Sequence, residues 1–154
     1  MRLTAYTDYT LRTLMYLAVN GGRSTTIADI ASAYRISEAH LMKIVHQLGV
    51  AGDIETTRGR NGGIRLARSA GEINLGAVVR RTEVDMDLVP CFRDTGVCTI
   101  SSACLLKGVL DEALSKFLSV LDQYTLADLI APRRRLSALL GVADARDPVG
   151  DPAP

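Results

Sequence analysis

Cys91, Cys98 and Cys104 are the chain's only cysteines, and all three fall inside PCFRDTGVCTISSACLLK, residues 90–107. Thiols at C-x6-C-x5-C spacing offer soft metal ligands or nucleophiles. A tetrahedral zinc site ordinarily uses C-x2-C knuckles and four ligands, which this spacing does not supply. A nucleophilic or redox thiol needs one or two cysteines beside a cation, and Arg93 and Lys107 are near in sequence. Inert thiols belong on a packed face, whereas two of these three lie in a stretch broken by Pro90 and Gly96. An iron–sulfur cluster fits best, because iron takes thiolates and widely spaced cysteines can wrap a cofactor several ångströms across. On the residues alone, zinc and a redox thiol stay open.

The compartment bears on this chemistry. The N-terminal MRLTAYTDYTLRTLMYLAV has neither an unbroken apolar run of membrane length nor a small-residue cleavage site, so a soluble cytoplasmic protein with no membrane partner is expected. A reducing cytosol disfavours disulfides, and an odd number of cysteines cannot pair completely within one chain. With 154 residues, 47% of them apolar, the chain is long enough to bury a core. Its net charge is +1, divided unevenly. Residues 1–82 carry 11 Lys/Arg against 6 Asp/Glu, and residues 83–154 carry 7 against 11. The basic half suits a polyanionic partner.

The basic half reads as three helices and a hairpin. Residues 7–19 put Leu11, Leu14, Met15 and Ala18 on one stripe, with Thr7 as the expected N-cap, Asp8 in the first turn and Gly21-Gly22 as the stop. TIADIASAY forms a second helix capped by Thr26 with Asp29 three residues on, its Ile27, Ile30 and Ala31 turned inward. A third begins at Ser37, buries Leu41, Ile44, Val45 and Leu48, and ends at Gly52. So tight a connection between the last two predicts a helix-turn-helix, whose later helix would present Ser37, Glu38, Ala39, His40 and Lys43 to base edges in double-stranded DNA. Strands near 53–57 and 64–67 then flank a turn in which Asn61, Gly62 and Gly63 supply positive φ. A hairpin in that place is a wing, and Arg58, Arg60, Arg65 and Arg68 suit phosphate or minor-groove contact.

INLGAVVRRT, residues 73–82, reads as a short helix, followed by an irregular stretch that needs something to order it. With Ser102 as N-cap, a helix of about 19 residues follows, roughly 28 Å long at 1.5 Å per residue. Leu106, Leu110, Ala113, Phe117 and Val120 form a heptad-like seam, thickened by Leu114, Leu118 and Leu121, which predicts a homodimer unless the seam packs on the first helix instead. A short helix at 124–130 is expected next, and ADARDPVGDPAP has the composition of a disordered end. The expected organisation is a winged helix-turn-helix DNA-binding domain at 1–82, a cysteine loop and dimerisation helix at 83–131, and a C-terminal tail at 132–154. The fold class is mainly α with a small β wing.

LTAYTDYTLRTLMYLA, the wing sequence RGRNGGIRLA, the cysteine triad and FLSVLDQYTLADL together resemble the NsrR-type nitric-oxide-sensing repressors, which belong with IscR to a superfamily of winged-helix regulators. The resemblance runs from residue 1 to about 130. It implies a homodimeric repressor of nitric-oxide detoxification genes whose cluster supports operator binding and whose reaction with nitric oxide relieves repression. It also implies that Cys91, Cys98 and Cys104 hold the cluster, with [4Fe-4S] favoured over [2Fe-2S]. IscR-like members carry a histidine three residues past the last cysteine. Lys107 stands there in this chain, and its two histidines, His40 and His46, both fall on the third helix. A protein-derived fourth ligand would then be an oxygen from Asp8, Glu83, Asp85, Asp87 or Asp94, and Asp8, in the TDY motif that resembles the family pattern, is the choice, reaching the partner's loop across a dimer. No histidine lies near the triad in sequence, and neither a Gly-rich phosphate loop nor an acid pair is evident, so an enzyme is not expected. The competing readings are a regulator that senses cluster supply or oxidants, and a thiol-based redox protein.

Overall fold

The computed structural model describes residues 2–59, 62–93 and 98–142; Arg60, Asn61, Asp94 and the tail from 143 onward lie outside the described residues. Helix α1 spans Ala5–Val19. It starts earlier than the sequence pattern indicates, because the cap is Thr4, whose hydroxyl accepts the Thr7 N–H at 3.2 Å. Thr7 is instead buried, and its hydroxyl donates to Thr82 Oγ1 at 2.9 Å. Thr10 and Thr13 are also buried and return their hydroxyls to the carbonyls of Tyr6 and Tyr9, which lets a polar face of α1 pack against the rest of the domain.

Helix α2, Ile27–Tyr34, opens with a complete capping box between Thr26 and Asp29. It closes on Arg35, which holds a left-handed φ of 56° in the turn before α3. Helix α3, Glu38–Val50, is capped by Ser37 and buries Leu41, Ile44, Val45 and Leu48, the stripe its spacing predicts. Two bonds, Gly52 N to Gly49 O and Asp53 N to Leu48 O, close its end as a Schellman motif with Gly52 at φ 73°.

Strands β1, Ile54–Thr57, and β2, Gly63–Leu66, pair antiparallel with Ile54 opposite Leu66 and Thr57 opposite Gly63. A bridge from Thr25 to Ile64 and a hydrogen bond from Ser24 Oγ to Gly62 O attach this hairpin to the segment after α1. In the turn, Gly59 carries a positive φ of 108°. Glycine at 62 is required by space, since a Cβ there would stand 2.2 Å from the Thr57 carbonyl oxygen.

Helix α4, Leu75–Thr82, is capped by Asn74. A long helix α5, Leu105–Leu121, follows two 3-10 turns at Pro90–Phe92 and Ser101–Ala103. Its N-cap is Cys104, not Ser102, which lies in the preceding turn. Helix α6, Leu126–Leu129, and helix α7, Arg133–Leu140, return to α1. The sequence pattern reads 132–154 as a tail, but its first part is helical: Arg133 donates to Val19 O at 2.9 Å, and Ser137 and Val142 are buried. The core joins Leu14, Leu17 and Val19 of α1 to Ile30, Leu41, Ile44, Ile54, Ile64, Val78 and Leu126.

Where α4 meets α1, the carboxylate of Glu83 accepts from the Thr4 N–H at 2.7 Å and from the Thr4 hydroxyl at 3.1 Å. Burial alone would raise this carboxyl, but the hydrogen bonds it accepts, among them those from the Thr4 N–H and hydroxyl, hold it below its ordinary value. A depressed carboxyl stabilises the fold above its unfolded value of about 4.3, and that contribution is lost as pH falls through the lower folded value. Glu83→Gln should therefore cost about 1–2 kcal/mol at neutral pH, and thermal melts down to pH 3 should show the gap to wild type closing. Gly62→Ala should open the hairpin turn and cost about 1–3 kcal/mol, read from urea unfolding.

Candidate nucleic-acid interface and cysteine segment

Ser37, Glu38, Ala39, His40 and Lys43 are all exposed on the N-terminal part of α3, the face opposite its buried stripe. Ser37 Oγ accepts the His40 N–H and lies 3.2 Å from His40 Nδ1, so the cap also orients the imidazole. Tyr9 of α1 stands against that imidazole with ring centroids 6.2 Å apart. Thr26 is exposed at the start of α2, with its hydroxyl committed to Asp29. These six residues are exposed on the two helices of the helix-turn-helix.

On the hairpin, Arg58 is exposed beside the turn, and Gly62 and Gly63 hold the backbone close to Ser24 and Thr25. Arg65 is half-exposed and pairs across the strands with Glu55 at 2.6 Å. Such a pair adds little to stability and leaves the guanidinium within reach of a stronger anion. Arg68 departs from the sequence reading. It points back to Asp53 and ties down the base of the hairpin.

The three cysteines are free thiols: Cys98 is exposed, and Cys91 and Cys104 are partly buried. Cys91 lies in the turn after the Asp85–Asp87 bend, Cys98 accepts through its carbonyl from Ser101, and Cys104 sits at the head of α5. No side chain caps the first turn of α5, so its N–H groups are left to favour negative charge beside Cys104. Among the described residues, no group of three or more His, Cys, Asp or Glu side chains is gathered as a metal site. The donor chemistry nonetheless fits an iron–sulfur cluster, since the thiols are unpaired and outside the core.

The oxygen candidates have other partners. Asp8 pairs with Arg12 at 2.9 Å, and Arg12 in turn lies over the Tyr34 ring at 5.8 Å. Glu83 is held by Thr4. Asp85 and Asp87 both meet Arg93, and the Asp87 N–H, followed by Arg93, holds the Asp85 carboxyl below its ordinary value. These four side chains are thus spoken for within one copy of the chain, although the Asp8–Arg12 pair is half-exposed and weak.

Helix α5 packs on α4 but has no buried residue. Leu105 is 85% exposed, Leu106 62% and Val109 61%, while Leu110, Leu114, Phe117, Leu118 and Leu121 are only partly covered. Leu114 and Phe117 form one wall of an open cleft of about 480 Å³, closed on its other sides by Arg2, Leu3 and residues 83 and 85–88. Among the described residues, no helix is long and apolar enough to cross a membrane.

Two ion-pair systems escape sequence reasoning. Asp53 is fully buried between Arg68 and Arg81. Arg80 makes a bidentate pair with Asp122 at 2.6 Å and 2.6 Å, which holds the Asp122 carboxyl below its ordinary value. Gly76 makes room for that pair, since a Cβ there would stand 1.9 Å from Asp122 Oδ1. Asp53 between Gly52 and Ile54 is a visible signal, a lone acid at the start of an apolar strand, but its partners lie 15 and 28 residues away.

A family model described as Rrf2, an iron-dependent transcriptional regulator, matches residues 3–132. The chain is 52% identical to the HTH-type transcriptional regulator NsrR of Shouchella clausii, over 91% of this chain and 95% of that protein. It is 49% identical to NsrR of Bacillus subtilis, over 91% of this chain and 97% of that protein. Among solved structures, Staphylococcus aureus CymR superposes with a TM-score of 0.67 at 27% identity, covering 83% of this chain and 97% of that one. IscR of T. potens does so with a TM-score of 0.69 at 24% identity, covering 88% and 90%, a likeness of fold. With an exposed recognition helix, a wing, and a family match that spans all of α1 through α6, this chain belongs to the Rrf2 family of transcriptional regulators.

Proposed function

We propose that this protein is a homodimeric repressor that binds operator DNA and responds to nitric oxide through an iron–sulfur cluster held by Cys91, Cys98 and Cys104. The observation that carries the reading is that the three free thiols sit on the segment joining α4 to the uncovered helix α5, in a chain about half identical to proteins named NsrR. [4Fe-4S] is the favoured cluster, with [2Fe-2S] the other form the ligands would accept. Asp8 of the partner subunit is the proposed fourth ligand, because its pair with Arg12 is exposed and cheaply exchanged.

When bound, the cluster supplies iron that reacts with nitric oxide. The chain's own part is mechanical. Three cysteine side chains tie together the turn at 90–92, the stretch at 98 and the head of α5, so residues 84–104 hold α5 in a defined relation to α4. With α5 paired to its copy along Leu106, Leu110, Ala113, Phe117 and Val120, that relation sets the distance between two α3 helices, which must match successive major grooves about 34–36 Å apart. In each half-site, Ser37, Glu38, Ala39, His40 and Lys43 face base edges, with Thr26 at the start of α2 beside them. Arg58, Gly62, Gly63 and Arg65 of the wing face the DNA backbone, and Arg60 and Asn61, which the sequence reading groups with them, lie outside the described residues. Release of the cysteine segment lets the spacing drift and removes preorganisation without removing a DNA contact.

Replacing any of the three cysteines with Ala should abolish iron and sulfide incorporation in anaerobically purified protein while far-ultraviolet circular dichroism and sedimentation stay those of a folded dimer. A colourless wild-type protein would sink the cluster reading. Asp8→Ala should keep a cluster with an altered visible spectrum. Leu110→Asp should shift sedimentation towards monomer and lose operator affinity. Titrating holo-protein with nitric oxide should lower specific affinity far more than non-specific affinity, with the dimer intact; equal loss of both would refute the spacing mechanism.

A further inference from the structure

Asp53 is 0% exposed, an uncommon place for a carboxylate. Its backbone is fixed on both sides, because its N–H closes α3 on Leu48 O at 3.0 Å and its carbonyl accepts the Ala67 N–H at 2.9 Å. The side chain then divides itself. Oδ1 takes Arg68, two residues past β2, and Oδ2 takes Arg81 on α4, and these arginines are 41% and 39% exposed. A buried ion cluster seldom adds stability over apolar residues of the same volume, since desolvation offsets attraction. What it does add is direction, because each charged hydrogen bond fixes the angle between its elements.

The element in need of direction is the wing. It is a two-stranded ribbon of four residues a side, and such a ribbon is marginal alone. Asp53 and Arg68 flank its base, one just before β1 and the other just after β2. We propose that Asp53 is a positioning residue for DNA binding: by joining Arg68 to Arg81 it holds the hairpin at the angle from which Arg58 and Arg65 reach phosphates while α3 occupies the major groove. This rests on the reading that the wing touches DNA. Because Arg81 lies between Arg80 and Thr82, the same link gives any shift of α4 a route to the wing.

A double-mutant cycle tests it, using full-length dimer and operator DNA across a salt series. Arg58→Ala alone should flatten the log–log salt dependence by about two units per dimer, at roughly 0.9 per phosphate. Asp53→Asn alone should keep the melting transition and the dimer, lower operator affinity at least about tenfold, and flatten the salt dependence by about four units, since Arg58 and Arg65 of both subunits lose their phosphates together. In the Asp53→Asn background, Arg58→Ala should add less than about twofold, since a displaced wing has no contact left to lose. A purely structural role would reduce the fraction of active protein and leave the salt slope unchanged. Wild-type affinity in Asp53→Asn, or losses that multiply in the double variant, would overturn the proposal while Arg58→Ala alone still weakens binding. A silent Arg58→Ala would instead show that the wing does not touch DNA, and positioning would fall with it. If Asp53→Asn does not fold, Arg68→Gln keeps the Asp53–Arg81 pair and carries the same expectations.

Discussion

Four consecutive residues at the end of α4 hold the molecule together. Arg80 grips Asp122 at the end of α5, Arg81 grips Asp53 at the base of the wing, Thr82 receives the Thr7 hydroxyl, and Glu83 takes the first N–H and hydroxyl of the α1 cap. Successive side chains on a helix point about 100° apart, so Arg80, Arg81 and Thr82 face three different sides, and Glu83 follows as the extended cap residue. A helix only eight residues long therefore touches a different neighbour on each side. The other end is stitched too, through Asn74 to the carbonyls of Asp122 and Tyr124.

This arrangement places the cysteine segment in a particular mechanical position. It leaves the chain immediately after Glu83, the last of the four gripping residues, and it ends at the head of α5, whose far end Arg80 holds. Between those points Arg93 gathers Asp85 and Asp87 into one bend. These pairs are exposed, and exposed pairs hold loosely. The bend at 85–87 and its tie to Arg93 are thus weakly fastened, the kind of element whose order can be changed at small cost.

Helix α5 presents the complementary problem. Seventeen residues with a continuous apolar side and no buried residue cannot be satisfied by α4 alone. Helix α3 and the hairpin have the opposite character: Ser37, His40, Lys43 and Arg58 are exposed polar groups on elements whose reverse sides carry Leu41, Ile44, Ile54 and Ile64 into the core. One surface is polar and ready for a polyanion, and the other is apolar.

Local chemistry alone determined much of this protein. The capping residues Thr26 and Ser37, the stripe Leu41-Ile44-Val45-Leu48, the Gly52 stop and the wing flanked by glycines were legible because each depends on neighbours within a turn or a hairpin. The three thiols and the basic surplus of the first 82 residues were legible as chemistry, since residue type and spacing need no fold. Tertiary structure decided the rest. The start of α1 moved from Thr7 to Thr4 because Thr7 found Thr82, 75 residues away, and Arg68 gained a partner in the buried Asp53, 15 residues away. Residues 133–140, read as tail, became a helix once α1 offered them Val19 and the core. In each case a local preference worth a few tenths of a kcal/mol yielded to a partner distant in sequence, whose burial and hydrogen bonds are worth more.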